Sequence, residues 1–369
     1  MTLGYFAPSS NSPTGVGDYA EALRQALSRK AEVRVNTDGD VNLYHLGNNE
    51  LHAAIYHRAL ARPGVVILHD AVLHHFYLGQ LSRDEYVEEF VYNYGEWYRG
   101  LAERLYDGRS RSGIAPEYFR YPMLARVAQT SRIVMVHNKA AEQAVKLHAA
   151  DTPVVTVPHI LFRPPDISAD DVEETRRTWG AEKKSMVFGI FGHLRETKRV
   201  ASCVRAFLRL RQAQPQVRLV VSGRPTSEAY RKTLEPLLAQ PGILRLGQLE
   251  ERDFWRVAMS VDACINLRYP QAGETSGIAI RLMAAGKPVL LSDGLEVSEL
   301  PPESCVRIDT GLCEEDMLYE HMLWLTLFPD DARAIGTAAA KHIRLHHEPA
   351  LVADRMMGAI TGLGEAGVR

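Results

Sequence analysis

Met186-Val187-Phe188-Gly189-Ile190-Phe191-Gly192-His193-Leu194-Arg195-Glu196-Thr197-Lys198-Arg199 is the stretch on which the fold turns: a short apolar run that ends at a glycine and opens into a charged loop. A run of this length and composition reads as a strand buried on both faces. It follows a proline-bearing stretch, from Pro158 through Pro164 and Pro165 to Asp170, where extended backbone is favoured and helix excluded. That stretch reads as an interdomain linker, after which an alternation of strand and helix starts a second time.

Downstream, Val217 to Ser222, Ile243 to Leu246, Ala263 to Leu267, Val289 to Ser292 and Val306 to Ile308 read as further strands. From Glu314 onward the pattern is helical, broken near Pro329 and Pro349. Upstream, a first strand that ends before Ser9 is followed by strands at Val41 to Gly47, Val65 to Leu68, Ile133 to Val136 and Val154 to Val157. This βαβ order predicts parallel, doubly wound sheets with helices on both faces. The expected organisation is α/β, with two Rossmann-like domains at residues 1–160 and 161–345 and a last helix, 346–369, that can cross back to the first domain. One segment departs from the alternation: residues 84–120 are helical and rich in Tyr, Trp and Arg, and read as an inserted helical lobe rather than a crossover.

A chain of 369 residues exceeds what one hydrophobic core usually supports, which agrees with two domains. Its 46% hydrophobic and 24% charged residues are those of a globular protein. A net charge of -2 offers no concentrated basic stripe for nucleic acid. Cys203, Cys264, Cys305 and Cys313 form no C-x-x-C pair, so neither a zinc knuckle nor a disulfide framework is implied, and a reducing cytoplasm is expected. The opening Met1 to Pro8 lacks the pattern of a secretory signal. Arg24, Arg29 and Lys30 are the candidates for peripheral contact with the inner face of the membrane.

Polar clusters fall at the carboxyl ends of the predicted strands, where open α/β sheets bind ligands. After the first strand, Ser9 to Tyr19 carries Gly15 and Gly17 ahead of an amphipathic helix at Ala20 to Ser28, so that backbone amides can approach an anion. Tyr44-His45-Leu46-Gly47-Asn48-Asn49 and Leu68-His69-Asp70 follow two further strands, with His74 and His75 close behind. A metal set of His69, Asp70, His74 and His75 is the weaker reading, since the spacing matches no familiar metal site. In the second half, His193, Arg195 and Lys198 place cationic groups suited to a pyrophosphate after a strand. Arg268, Glu274, Thr275, Ser276 and Gly277 then lead into a helix, where amides and hydroxyls can hold phosphate while Glu274 reaches sugar hydroxyls. The same Thr275 and Ser276 also suit a simple helix cap.

Together these segments resemble the retaining glycosyltransferases of family 4, and more narrowly bacterial members with Y-H-x-G-N, L-H-D and G-E-T-S segments, from Gly15 to about Pro302. The resemblance implies the GT-B fold and a nucleoside-diphosphate sugar as donor substrate, with no obligatory cofactor and no metal. It places Gly15 and Gly17 at the diphosphate and acceptor, His69 beside the transferred sugar and Lys198 on the donor diphosphate; Asp70, His45 and Asn48, at the strand ends of the first domain, are read as acceptor-side residues. Two departures are visible. His193 stands where the family has Arg, with Arg195 as a substitute, and Arg281 stands in the place of the family's second Glu, one residue closer to Glu274 than the family spacing.

The implied reaction is front-face transfer of a sugar to a glycan or lipid-linked acceptor, with His69 and Glu274 at the reacting sugar, in cell-surface polysaccharide or glycolipid synthesis. A nucleotide-sugar epimerase of the same fold, and a non-catalytic partner that binds sugar nucleotide, are the alternatives, because the fold alone does not specify chemistry.

Overall fold

The computed structural model describes residues 1–9, 15–181 and 185–366, and the chain divides into two compact units. The first comprises residues 1–160, 270–275 and the C-terminal segment from His346; the second comprises 161–269 and 276–345.

The first unit runs β1 (Thr2–Phe6), α1 (Gly15–Leu27), β2 (Glu32–Val35), β3 (Val41–Leu46), α2 (Ala53–Ala61), β4 (Val65–Leu68), α3 (His74–Gln80), α4 (Arg83–Tyr94), α5 (Arg99–Asp107), α6 (Ala125–Thr130), β5 (Ile133–Val136), α7 (Lys139–His148) and β6 (Val154–Thr156). Its six strands are all parallel, in the order β2-β1-β3-β4-β5-β6. The central strands β4 and β5 are buried along their whole length, as their unbroken apolar runs require.

Three expectations need correction here. The sequence reading has no strand at Glu32–Val35, because β2 is a charged, mostly exposed edge strand without an apolar run. The first helix starts at Gly15, so both glycines lie in its first turn rather than in the loop before it; Ser10 to Thr14 of that loop lie outside the described residues. The helical stretch at 84–120 is the crossover between the neighbouring strands β4 and β5, and Tyr86, Phe90, Leu105 and Tyr118 from it belong to the same core as Val66 and Val134. Parallel neighbours need a connection that returns over the sheet, and this segment supplies it.

The second unit runs α8 (Ala169–Thr178), β7 (Val187–Phe191), α9 (Val200–Ala213), β8 (Arg218–Ser222), α10 (Glu228–Leu238), β9 (Ile243–Leu246), α11 (Glu251–Ser260), β10 (Ala263–Asn266), α12 (Gly277–Ala284), β11 (Val289–Ser292), β12 (Val306–Ile308), α13 (Glu314–Leu327) and α14 (Pro329–His346, whose last residue is counted with the first unit). All six strands are parallel in the order β12-β11-β10-β7-β8-β9. Counted within this unit the order is 3-2-1-4-5-6 read from β9, the doubly wound dinucleotide-fold arrangement, and the direction of winding reverses between β7 and β10. The last helix, α15 (Pro349–Ala366), belongs to the first unit, where it packs on α1 and where Asp354 pairs with Lys30 at 2.5 Å. Lys30 is thus paired within the first unit, as is Arg24 with Glu21 at 2.7 Å. No helix among the described residues is long and apolar enough to cross a membrane. All four cysteines are free.

Close backbone packing governs one helix of the second unit. A Cβ on Gly336, in the middle of α14, would fall 2.0 Å from the carbonyl oxygen of Gly286. Helix propensity alone favours alanine over glycine by about 1 kcal/mol, but here the clash is with backbone that no rotamer change relieves. Gly336→Ala is expected to destabilise the fold by about 1–3 kcal/mol through overpacking and so to lower the thermal midpoint; a raised midpoint in a melting experiment would show that propensity dominates.

Candidate functional site

In the first unit, the predicted polar residues gather at the carboxyl ends of β3, β4 and β5. His69 follows β4, and its Nε2 lies 3.0 Å from Nδ1 of His45 at the end of β3. The two rings are inclined by only 16° with centroids 5.2 Å apart, the geometry of an in-plane hydrogen bond between ring edges. Tyr19 of α1, fully buried, packs edge-on against His69, His137 and His159. His137, after β5, donates from Nδ1 to the carbonyl of Val157 at 3.0 Å.

Burial decides the charge of this cluster. Desolvation pushes His45 down to about 3 and His137 down to about 4, and holds His69 well below the ordinary imidazole range, with neighbouring histidines adding to the effect. These rings are therefore neutral hydrogen-bonding groups at physiological pH. His45 is 0% exposed, which corrects its assignment to the acceptor side: it reaches His69 and not the surface.

Asn48, Asp70, His74 and His75 have structural engagements. The Asn48 amide donates to Asp70 Oδ2 at 2.9 Å, Asn48 Oδ1 accepts from the Phe76 amide at 2.8 Å, and its Nδ2 reaches His75 Nδ1 at 3.2 Å. His75 donates from Nε2 to Ser112 O at 2.9 Å, and His74 joins Tyr121 O and the Tyr86 hydroxyl. The set read as a weak metal site is thus dispersed into scaffold bonds, and among the described residues no group of three or more His, Cys, Asp or Glu side chains is placed to hold a metal ion.

Residues 270–275, counted with this unit, bring Glu274 to the same strand ends. Ala71, two residues after His69, donates its amide to Ala272 O at 2.9 Å, and a Cβ on Gly273 would meet Cβ of Ala71 at 2.6 Å. Asn138 caps α7 with its oxygen and holds Gly273 O and Thr275 Oγ1 with its nitrogen, at 3.0 and 2.9 Å. Glu274 itself accepts from the Ala272 amide at 2.9 Å, which shapes the turn around it. His137, Asn138 and Tyr19 were not singled out from the sequence, although His137-Asn138 directly follows an apolar strand as His69-Asp70 does, and the same strand-end rule points to both pairs.

The second unit builds a separate constellation where its winding reverses, at the ends of β7 and β10. Lys198, 9% exposed, curls back so that Nζ donates to Phe191 O at 3.1 Å. It lies against Gly192, where a Cβ would sit 2.7 Å from that nitrogen and 3.6 Å from Ile278 in the first turn of α12. Gly192 has φ +88°, and Gly223 after β8 has φ +141° with a virtual Cβ only 2.1 Å from Gly192 O. Both glycines hold a positive φ that other residues rarely adopt, and Gly223 packs directly on the Gly192 backbone. Arg268, after β10, donates its amide to Ser292 Oγ at 2.8 Å and reaches Ser276 Oγ at 3.1 Å with its guanidinium. Ser276 caps α12 by accepting from the Ala279 amide at 3.3 Å, so the helix opens at Gly277 beside Arg268. The Tyr269 amide bonds to Thr197 O at 2.7 Å, joining the Lys198 and Arg268 loops.

His193 and Arg195 are exposed on either side of Leu194, whose backbone is pinned to Arg224 and Thr226. Arg199, in a left-handed conformation, turns to Glu314 at 2.7 Å. Arg281 stacks on Phe162 at 4.1 Å and pairs with Glu251 at 3.8 Å.

Residues 171–301 match the family model described as glycosyl transferases group 1. A D-inositol 3-phosphate glycosyltransferase of Stackebrandtia nassauensis is 31% identical over 172 residues, 44% of this chain and 39% of that relative, so the chain spans about two fifths of the curated relative's length. Among solved structures, sucrose-phosphate synthase from Thermosynechococcus elongatus has a TM-score of 0.71 at 12% identity, with 99% of each chain covered. Anabaena Alr3699/HepE in complex with UDP-glucose has a TM-score of 0.67 at 13% identity, covering 98% of this chain and all of that one. WaaG, a glycosyltransferase involved in lipopolysaccharide biosynthesis, has a TM-score of 0.63 at 13% identity, covering 95% and 98%. With the two six-stranded parallel sheets, these likenesses establish the GT-B fold.

The buried histidines set a pH dependence. His45, His74 and His137 are held by burial at about 3, 3 and 4 in the folded chain, against about 6.5 when unfolded. As pH falls, the unfolded chain takes up these protons first. Stability is therefore unaffected by them above pH ~6.5 and is lost progressively down towards pH ~4, by about 1.4 kcal/mol per ring per pH unit. The thermal midpoint is expected to fall steeply between pH 6.5 and pH 5, and less steeply in His74→Phe; a flat profile across that range would contradict the neutral cluster.

Proposed function

We propose that this chain is a retaining glycosyltransferase that moves a sugar from a nucleoside-diphosphate sugar to a glycan or lipid-linked acceptor, on the cytoplasmic side of cell-surface polysaccharide or glycolipid synthesis. The observation that carries the reading is the constellation at the β7/β10 reversal: Lys198 beside a side-chain-free Gly192, Arg268 on Ser276, and the first turn of α12 at Gly277. A diphosphate needs positive charge and amide donors at close range, and this place offers both. The UDP-glucose held by Anabaena HepE lends support to a nucleotide sugar as the donor.

In this reading Lys198 and Arg268 stabilise the leaving diphosphate as its charge develops, with His193 and Arg195 on the exposed loop adding further donors. Gly15 and Gly17, in the first turn of α1, offer amides to the same class of anion. Glu274 holds sugar hydroxyls, and neutral His69 donates or accepts a hydrogen bond beside the reacting carbon. The acceptor hydroxyl attacks from the face that the diphosphate leaves and gives its proton to the departing phosphate oxygen, so no protein nucleophile is required. The charge of the diphosphate is met by these cationic side chains, which makes an obligatory divalent ion unnecessary.

One observation favours a non-catalytic sugar-nucleotide partner instead: Arg281 is committed to Phe162 and Glu251, so that position brings no carboxylate to a ribose. Donor binding tests what the two readings share, and turnover separates them. Screened against UDP-, GDP- and ADP-sugars without divalent ion, the protein is expected to show a raised thermal midpoint with one of them; no stabilisation by any would count against donor binding. Lys198→Ala should then weaken that nucleoside diphosphate ~10- to 100-fold in calorimetry, the worth of a charge-assisted hydrogen bond. Glu274→Ala should keep the fold and lower turnover by ~10²- to 10³-fold, whereas a binding partner would have no turnover to lose.

A further inference from the structure

The His45–His69 pair specifies which nitrogen of His69 carries its proton. Both rings are neutral, so in a bond between His45 Nδ1 and His69 Nε2 one nitrogen donates and the other accepts. If His69 donated, the proton of His45 would lie on its own Nε2, which is buried and has no hydrogen-bond partner among the described residues. A buried N–H without an acceptor is the rarer and costlier orphan.

The same fold shows how it treats such rings. His52 donates from Nδ1 to His45 O at 2.9 Å, and His137 donates from Nδ1 to Val157 O at 3.0 Å. In each the Nε2 left behind is the bare nitrogen, and each of those nitrogens is buried without a partner among the described residues. His45 follows the pattern: Nδ1–H donates, Nε2 is bare. His69 Nε2 must then accept, which puts the proton of His69 on Nδ1.

We propose that His45 is a positioning residue that holds His69 in its Nδ1–H form, so that His69 presents a fixed hydrogen-bond donor to the substrate and cannot act as a general base. The bond is in plane, and His45 is itself immobilised by Tyr5 and Tyr19 against its ring at 4.9 and 6.0 Å. A donor aimed at a sugar oxygen suits a reaction in which the leaving phosphate takes the acceptor's proton. This inference rests on the proposed role of His69 at the transferred sugar for its consequence, but not for the tautomer.

Long-range proton–nitrogen correlation spectra of the full chain labelled with 15N-histidine test it, with the His69 signal identified by its loss in His69→Gln. The expected result at pH 7.5 is a protonated Nδ1 and a bare Nε2; the reverse would overturn the proposal, and this reading stands even if His45 variants fail to fold. In kinetics, His45→Leu should lower kcat by ~10- to 100-fold with KM for the donor little changed, as expected for a misplaced group near the reacting atoms. His45→Asn, which keeps a donor at the δ position, should recover most of that loss. A kcat unchanged in His45→Leu would also overturn it. The spectrum is read without substrate, so a chain that transfers no sugar defeats the proposed function and leaves this assignment to the tautomer alone.

Discussion

Parallel strands cannot be joined by tight turns, and this requirement organises everything else in the protein. Each neighbouring pair needs a crossover that returns over one face of the sheet, and where the winding reverses direction the crossovers diverge and leave the carboxyl ends of two strands uncovered. In the second unit this occurs between β7 and β10, and Gly192, Lys198 and Arg268 stand there because they are the residues that follow those strands. In the first unit the order β2-β1-β3 reverses between β1 and β3, and α1 and His45 lie at that place.

The two units treat charge in opposite ways. The strand ends of the first are crowded with imidazoles kept neutral by burial, a setting that offers directed hydrogen bonds without net charge. Those of the second carry Lys198 and Arg268 beside two glycines at positive φ, where a Cβ on Gly192 would meet the Lys198 nitrogen and one on Gly223 the backbone of Gly192.

Much of the fold was legible in the chain. Eleven of twelve strands correspond to apolar runs or to the opening strand, since strands buried on both faces leave an uninterrupted signature. Glu32–Val35 left none, being at an edge where one side of the backbone meets solvent and charged side chains cost nothing. The helices after Glu314 broke at Pro329 and Pro349 as read, because proline suits the first turn of a helix and not its interior. The crossover at 84–120 reads in sequence as an insertion, because its aromatic residues resemble a surface lobe, whereas in the fold they cover the sheet.

Candidate site residues could be located by one rule, polar groups just after apolar strands, because strand direction alone decides which edge they reach. That is what the sequence by itself determined: two doubly wound sheets, and the loops on which His69, Lys198, Arg268 and Glu274 stand. What only the tertiary structure decided is the company each side chain keeps. His45 serves His69 instead of an acceptor, Asn48 and Asp70 brace a loop, Arg281 stacks on Phe162, and Asn138 secures the turn that carries Glu274. The reason is physical: secondary structure follows from periodicity within a short window, whereas hydrogen bonds and desolvation depend on neighbours more than a hundred residues away along the chain, as between Asn138 and Gly273.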